Sequence, residues 1–215
     1  MTQVEVIEAV LGGNDEVAAQ LRERFDAAGV RTLDIIGSPG SGKTALLEAT
    51  LPALPSALRV GVLVGDLATR RDADRIARVA SQVVQINTAG GCHLEAHHVE
   101  KGLAALDLAA LDLLVIENVG NLICPVGWDL GQHAKVGVFS VAEGDDKPGK
   151  HPPLVLAADA LVLTKSDLLP YVPFDRAFFE QDIRQMNPSV PILEVSALKG
   201  DLAPWLTWLE AFVAG

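Results

Sequence analysis

The string Gly37-Ser-Pro-Gly-Ser-Gly-Lys-Thr44 packs three glycines, a lysine and a terminal hydroxyl into eight residues. It fits G-x-x-x-x-G-K-[ST], a turn that follows a strand and opens a helix. Gly40 and Gly42 let backbone N–H groups turn inward around phosphates, and the helix N-terminus adds partial positive charge. Ser38, Pro39 and Ser41 complete the loop, Lys43 meets the outer phosphates, and the Thr44 hydroxyl reaches Mg²⁺. A metal held this way needs carboxylates. The apolar run Leu113-Leu-Val-Ile-Glu117 ends in one, and Val62-Leu-Val-Gly-Asp66 ends in another. Thr44, Asp66 and Glu117 are the expected Mg²⁺ residues, directly or through water. Gly120, three residues past Glu117, is spaced to present its N–H to a γ-phosphate. Leu67–Asp72 reads as a switch segment in which Asp72 is catalytic or a plain surface acid, and Arg70 or Arg71 offers charge. Lys43, Asp66, Asp72 and Glu117 form the catalytic set.

A base-reading element follows at Leu163-Thr-Lys-Ser-Asp167. A carboxylate at a strand end accepts two N–H bonds from guanine, whereas adenine offers no such donor pair. Asp167 therefore favours GTP and GDP over adenine nucleotides. Lys165 lies along the base, and Ser196-Ala197-Leu198, after the last strand, supplies the backbone contact. Thr164 stands where this motif usually has Asn, which weakens one expected contact to the purine.

Both cysteines of the chain lie near these elements: Cys92, next to His93, which is four residues before His97, and Cys124, seven residues past Glu117. If a helix begins here, His93 and His97 share a face. Two thiolates with one or two imidazoles suit Ni²⁺ or Zn²⁺. Taken singly, each residue also has a packing role open to it. His98 points elsewhere on that helix, and His133 and His151 have no evident partners.

These residues need strand ends gathered on one edge. Apolar runs at Thr32–Ile36, Val60–Val64, Val83–Ile86, Leu113–Ile116, Val136–Val141, Ala160–Leu163 and Ile192–Val195 predict strands. Between most of them helical periodicity appears, near Lys43–Leu51, Ala73–Ala80, Leu94–Leu106, Phe174–Met186 and Leu202–Val213. Upstream, Asn14-Asp-Glu16 predicts the cap of a helix through Val17, Ala18, Leu21 and Phe25 that stops at Gly29. Pro52 and Pro55 close the helix after the phosphate loop. The residues from Cys124 to Lys135, with Pro125, Gly127 and Gly131, predict a loop. Trp205, Leu206, Trp208, Leu209 and Phe212 read as core. Strands alternating with helices predict a P-loop α/β fold, a doubly wound and mostly parallel sheet covered on both faces. Residues 1–215 read as one domain with a short N-terminal helical segment.

Composition narrows the partners. Hydrophobic residues form 49% of the chain, enough for a substantial core. With 17 Lys and Arg against 28 Asp and Glu, the formal charge is −11, which disfavours duplex nucleic acid and anionic membrane. No apolar run reaches the roughly 20 residues of a membrane helix, and the first residues lack a signal-peptide pattern. The expected location is the cytoplasm.

The segments Ser38–Thr44, Gly65-Asp66 with Asp72-Ala73, Cys92-His-Leu-Glu-Ala-His97, Ile116-Glu-Asn-Val-Gly-Asn-Leu-Ile-Cys-Pro125 and Glu143-Gly-Asp-Asp-Lys147 together resemble the HypB-type hydrogenase nickel-incorporation GTPases. The resemblance runs from about Glu8 to the end and rests most on the Glu-Asn-Val-Gly-Asn-Leu-x-Cys-Pro string. It implies slow, regulated GTP hydrolysis and nickel delivery to the [NiFe]-hydrogenase active site. It implies a GTP-favoured homodimer with a metal site at its interface, onto which Cys92, His93, His97 and Cys124 map. A lysine matching Lys150 would reach the partner's nucleotide, and the partners would be other maturation factors and the hydrogenase large-subunit precursor. The Cys-rich or His-rich N-terminal extension of many members is absent, so high-capacity nickel storage is not expected. The urease nickel-insertion GTPases look similar but carry Cys-Pro-His at their metal site. A P-loop small-molecule kinase leaves Asp167 and the Cys-His cluster without a role, and a third alternative is a carrier that binds nucleotide without hydrolysing it.

Overall fold

A computed structural model describes the backbone of residues 3–66, 71–88 and 90–215, with side chains from residue 12 onward. Part of the expected switch, Leu67–Arg70, lies outside the described residues. Among the described residues, seven strands form one sheet in the order β3-β2-β4-β1-β5-β6-β7, with neighbouring strands paired in parallel. The strands are β1 (Arg31–Gly37), β2 (Val60–Asp66), β3 (Gln82–Asn87), β4 (Leu113–Glu117), β5 (Ala134–Ser140), β6 (Ala160–Thr164) and β7 (Ile192–Glu194). The helices are α1 (Gln3–Ala28), α2 (Lys43–Thr50), α3 (Arg71–Ile76), α4 (Ala96–Leu103), α5 (Lys147–Lys150), α6 (Pro152–Ala157), α7 (Arg176–Met186) and α8 (Ala203–Ala214).

Side-chain alternation along each strand sorts the core into two faces. Leu33, Ile35, Val62, Val115, Val136 and Val162 pack beneath α2, α3 and α8. On the opposite face, Leu63, Leu114 and Ile116 meet Phe25 of α1 and Val99 of α4. Further along that face, Phe139, Leu161 and Leu163 meet Leu154 of α6 and Phe179 of α7. Helices cover both faces, so most strands read as largely apolar runs.

Several boundaries differ from expectation for identifiable reasons. Helix α1 runs straight through Asn14 instead of starting there. Asn14 faces sideways: its Nδ2 donates to the Asp129 carbonyl at 2.8 Å and its Oδ1 accepts from the Ala96 N–H at 2.8 Å. A buried amide with two distant partners stays helical and serves the start of α4 instead of its own helix. The predicted stop holds: Gly29 adopts φ 67 and the Val30 N–H reaches back to the Phe25 carbonyl. Helices α5 and α6 are too short to show a hydrophobic period. Trp205 is fully buried, its Nε1 donating to Thr50 Oγ1 at 2.8 Å, and Leu209 is buried with it. Trp208, Phe212 and Leu206 are half-buried packing at the rim of that core. No described helix is long and apolar enough to cross a membrane.

One polar residue interrupts the core of β1. Asp34 is fully buried, and its carboxyl is pushed up from 3.8 to about 7, first by burial, against a hydrogen bond from Asn118 and the charge of Lys135, with Asp129 adding repulsion. The folded chain therefore holds this proton more tightly than the unfolded chain. Its contribution to stability is complete below the ordinary value and is lost as pH rises through about 7. Asp34→Asn keeps an acceptor for Asn118 without the titration. It should raise stability above neutral pH, on the order of 4 kcal/mol, and lose that advantage in acid. Urea unfolding across this range checks it; a variant with the wild-type pH slope would contradict the assignment.

Candidate nucleotide and metal site

The phosphate loop leaves β1 at Gly37 and enters α2 at Lys43. A Cβ on Gly37 would lie 2.6 Å from Ser41 Oγ and 2.8 Å from the Val138 carbonyl, so only glycine lets the loop fold this tightly. Gly42 adopts φ 96 against Thr164, a conformation that glycine takes without strain. Lys43 is buried, its Nζ donating to the Gly37 and Ser38 carbonyls at 2.9 and 3.1 Å. Burial holds this ammonium below the usual lysine range, opposed by Glu117, Glu143 and Asp72. Ser38 donates to Glu143, an acid not predicted for the site.

Glu117 ends β4 directly beneath the loop. Its Oε1 accepts from the Thr44 hydroxyl at 2.6 Å, while its Oε2 is buried without a partner. Burial pushes the carboxyl up to about 7 against the Thr44 bond and the charge of Lys43. A hydroxyl and an unsatisfied buried carboxylate are hard oxygen donors that fit Mg²⁺. Asp66, Asp72, Glu117, Gly120 and Lys165 line one cleft of about 460 Å³ with the phosphate loop. Asp72 pairs with Arg75 at 3.2 Å, and Arg75 also pairs with Glu48 at 2.5 Å. Thus Arg75, not the exposed Arg71, is the described arginine in the cleft. Sequence reading missed it because one helical turn separates it from the switch.

A second cavity of about 330 Å³ continues past Gly42, Ala45 and Lys165 to Thr164, Asp167, Ala197 and Leu198. Asp167 Oδ1 accepts from Ser196 Oγ at 2.6 Å, so the expected backbone contact also aims the base-reading carboxylate. Lys165 takes φ 59 and donates from Nζ to the Gly40 carbonyl at 2.7 Å. The hydroxyl of Thr164 faces the Ser41 carbonyl, with the Phe139 carbonyl at 3.1 Å, which ties β6 to the phosphate loop. Lys150 is exposed on α5, pairs with Asp146, and does not line its own chain's cleft.

Cys92, His93 and Cys124 converge, with one ligand atom of each lying within 4.8 Å of the others. His93 stacks on Trp128 at 4.5 Å, its Nδ1 lies 3.5 Å from Cys92 Sγ and is the nitrogen turned toward the thiols, and its buried Nε2 faces Glu95 Oε1 at 3.6 Å. Burial lowers this imidazole, which favours its neutral, ligating form. A hydrogen bond with Cys124 pushes the thiol of the exposed Cys92 up. His97 does not join the cluster. Helix α4 begins only at Ala96, so His93 precedes it and the two rings share no helical face; His97 Nδ1 lies 3.3 Å from Glu95 Oε2 instead. His98 accepts from the Glu95 N–H. His133, expected to lack partners, accepts from the Thr32 N–H and meets Asp26.

The fold and the loop together define a P-loop nucleotide-binding protein. Residues 32–194 match the family model described as CobW/HypB/UreG, nucleotide-binding domain. Hydrogenase maturation factor HypB of Azotobacter vinelandii is 46% identical over 202 residues, covering 94% of this chain and 67% of that protein. The Escherichia coli K12 factor is 43% identical, covering 98% and 72%. Among solved structures, HypB from Helicobacter pylori in complex with nickel superposes with a TM-score of 0.89 at 35% identity, covering 94% of this chain and 95% of that one. The Archaeoglobus fulgidus factor gives 0.87 at 35%, with 94% and 100% covered. The chain belongs to the CobW/HypB/UreG family, on its branch of hydrogenase maturation factors of the HypB type.

The geometry separates the two histidines. His93→Ala should weaken Ni²⁺ binding by about tenfold or more, whereas His97→Ala should leave it within about twofold of wild type. Competition against a chromophoric chelator reads both affinities. Equal losses would restore His97 as a ligand.

Proposed function

We propose that this chain hydrolyses GTP to GDP and phosphate and uses the cycle to hand nickel on toward the [NiFe]-hydrogenase active site. One observation carries the reading. The strand that ends in Glu117 at the phosphate loop runs within seven residues to Cys124, which meets Cys92 and His93. Nucleotide and metal sites share one short segment of main chain. The nickel-bound relative supports nickel as the cargo.

In this reading the loop N–H groups and Lys43 take the phosphate charge, and Asp167, aimed by Ser196, selects guanine. Thr44, Glu117 and Asp66 would hold Mg²⁺, which when bound neutralises charge on the phosphate oxygens. Asp72 steadies Arg75 in the cleft. Arg75 is tied to two acids, so hydrolysis by the isolated protein should be slow, on the order of 10⁻⁴–10⁻² s⁻¹. The exposed Lys150, on leaving its pair with Asp146, would cross a GTP-favoured dimer interface to the partner's nucleotide. The protein acts in the cytoplasm, with other maturation factors and the hydrogenase large-subunit precursor as partners.

Nucleotide competition tests the base assignment. Asp167→Asn should lose GTP affinity by roughly 10²-fold or more and gain xanthosine nucleotide, because one acceptor becomes a donor. Equal affinity of the wild type for ATP and GTP would overturn it. Glu117→Ala should lower phosphate release far more than folded stability; undiminished turnover would remove Glu117 from the site.

A further inference from the structure

Asn118-Val-Gly-Asn121 joins the phosphate strand to the Cys124 arm, with an asparagine on either side of Val119-Gly120. Asn118 is 1% exposed. Its main-chain N–H donates to the Ile35 carbonyl of β1 at 3.1 Å, and its side-chain Nδ2 donates to Asp34 Oδ1 at 3.0 Å. Its Oδ1 accepts from the Val119 N–H at 3.0 Å and from the Leu94 N–H at 3.1 Å. Leu94 is fully buried and directly follows Cys92 and His93. Asn121 repeats the arrangement on the other arm. Its N–H donates to the Gly37 carbonyl at 3.0 Å, at the root of the phosphate loop, and its Oδ1 accepts from the N–H groups of Ile123 at 2.8 Å and Cys124 at 3.3 Å. Between them Gly120 lies against Pro39 of the loop, where a Cβ would come within 3.0 Å of the Pro39 nitrogen.

We propose that Asn118 and Asn121 are positioning residues that carry the nucleotide state sensed at Gly120 to the two metal-ligand arms, Asn118 to Cys92–His93 and Asn121 to Cys124. The inference rests on the coupled reading above and deepens it. The Leu94 N–H and the Asn118 amide are both shut off from water. A shift of Val119–Gly120 therefore moves Leu94 with it or leaves a buried donor and acceptor unpaired, and the second course is the costlier one. Asn121 holds the main-chain N–H of Cys124 from a half-buried position, so in this reading both thiolates respond to one displacement. A merely structural anchor would alter metal affinity equally in every nucleotide state. A transmitting residue alters the ratio between states.

The experiment titrates Ni²⁺ into the full chain loaded with GDP and with a non-hydrolysable GTP analogue. Four proteins are compared: wild type, Asn118→Ser, Asn121→Ala and Asp34→Asn. Wild type should show affinities differing by about fivefold or more. Asn118→Ser cannot reach Leu94, and Asn121→Ala cannot reach Cys124; each should bring the ratio to within about twofold of one. Asp34→Asn keeps the acceptor for Asn118 and should keep the ratio. Folded variants that retain the wild-type ratio would overturn the inference while leaving the coupled function intact. A wild-type ratio of one would overturn the coupling itself and the inference with it. If Asn118→Ser does not fold, the half-buried Asn121→Ala carries the test alone.

Discussion

Parallel pairing throughout the sheet dictates the rest of this molecule. When every strand runs the same way, the carboxyl ends of all of them open on one edge, and the loops leaving that edge must share it. The phosphate loop leaves β1, Asp66 ends β2, Glu117 ends β4, and Lys165 with Asp167 follows β6. Apart from Lys165 and Asp167, these residues lie far apart in sequence. They meet because β1 is flanked by β4 and β5 and because β4 is shared with β2. Burial on both faces fixes the register, since a slip by one residue would send Leu33 and Ile35 to the wrong core.

That frame carries an unusual amount of buried polar chemistry, and each piece of it serves an approach between elements. Thr44 bonds Glu117 across α2 and β4, Thr164 ties the phosphate loop to β6, and Asn14 joins α1 to α4 and to the Asp129 carbonyl. Asp34 and Asn118 do the same between β1 and the metal arm. A dry core of branched aliphatics would hold the sheet together equally well. The polar contacts instead decide where loop main chain is placed to within a hydrogen bond, and a nucleotide site needs that placement.

The sheet was legible in the sequence because parallel strands covered on both faces are short apolar runs bounded by turn residues, and the central ones, β1, β2, β4, β5 and β6, stand out most clearly. The phosphate loop, Glu117 and Asp167 were legible because each has a residue pattern tied to a strand end. What stayed hidden depends on contacts between distant segments. Nothing local marks Asn14 as a partner of Ala96, Ser196 as the residue that aims Asp167, or Trp128 as the platform under His93. The spacing of His93 and His97 pointed to one helical face only on the premise of an earlier helix start. Glu95 and the bond from Leu94 to Asn118 delay that start to Ala96. Thr164 adds a fold contact that its place in the motif did not reveal. Read as a weakened base contact, its hydroxyl is committed to main-chain carbonyls of the fold.

The account stands on the two sites being one energetic unit, linked through the segment from Glu117 to Cys124. Linkage is reciprocal, so whatever factor GTP imposes on metal affinity, metal must impose on the preference for GTP over GDP. The direct measurement is the affinity of the protein for GDP and for a non-hydrolysable GTP analogue, with and without saturating Ni²⁺. The account predicts that Ni²⁺ changes the ratio of the two nucleotide affinities by the same factor that the nucleotides change Ni²⁺ affinity. Nucleotide affinities indifferent to bound Ni²⁺ would contradict it.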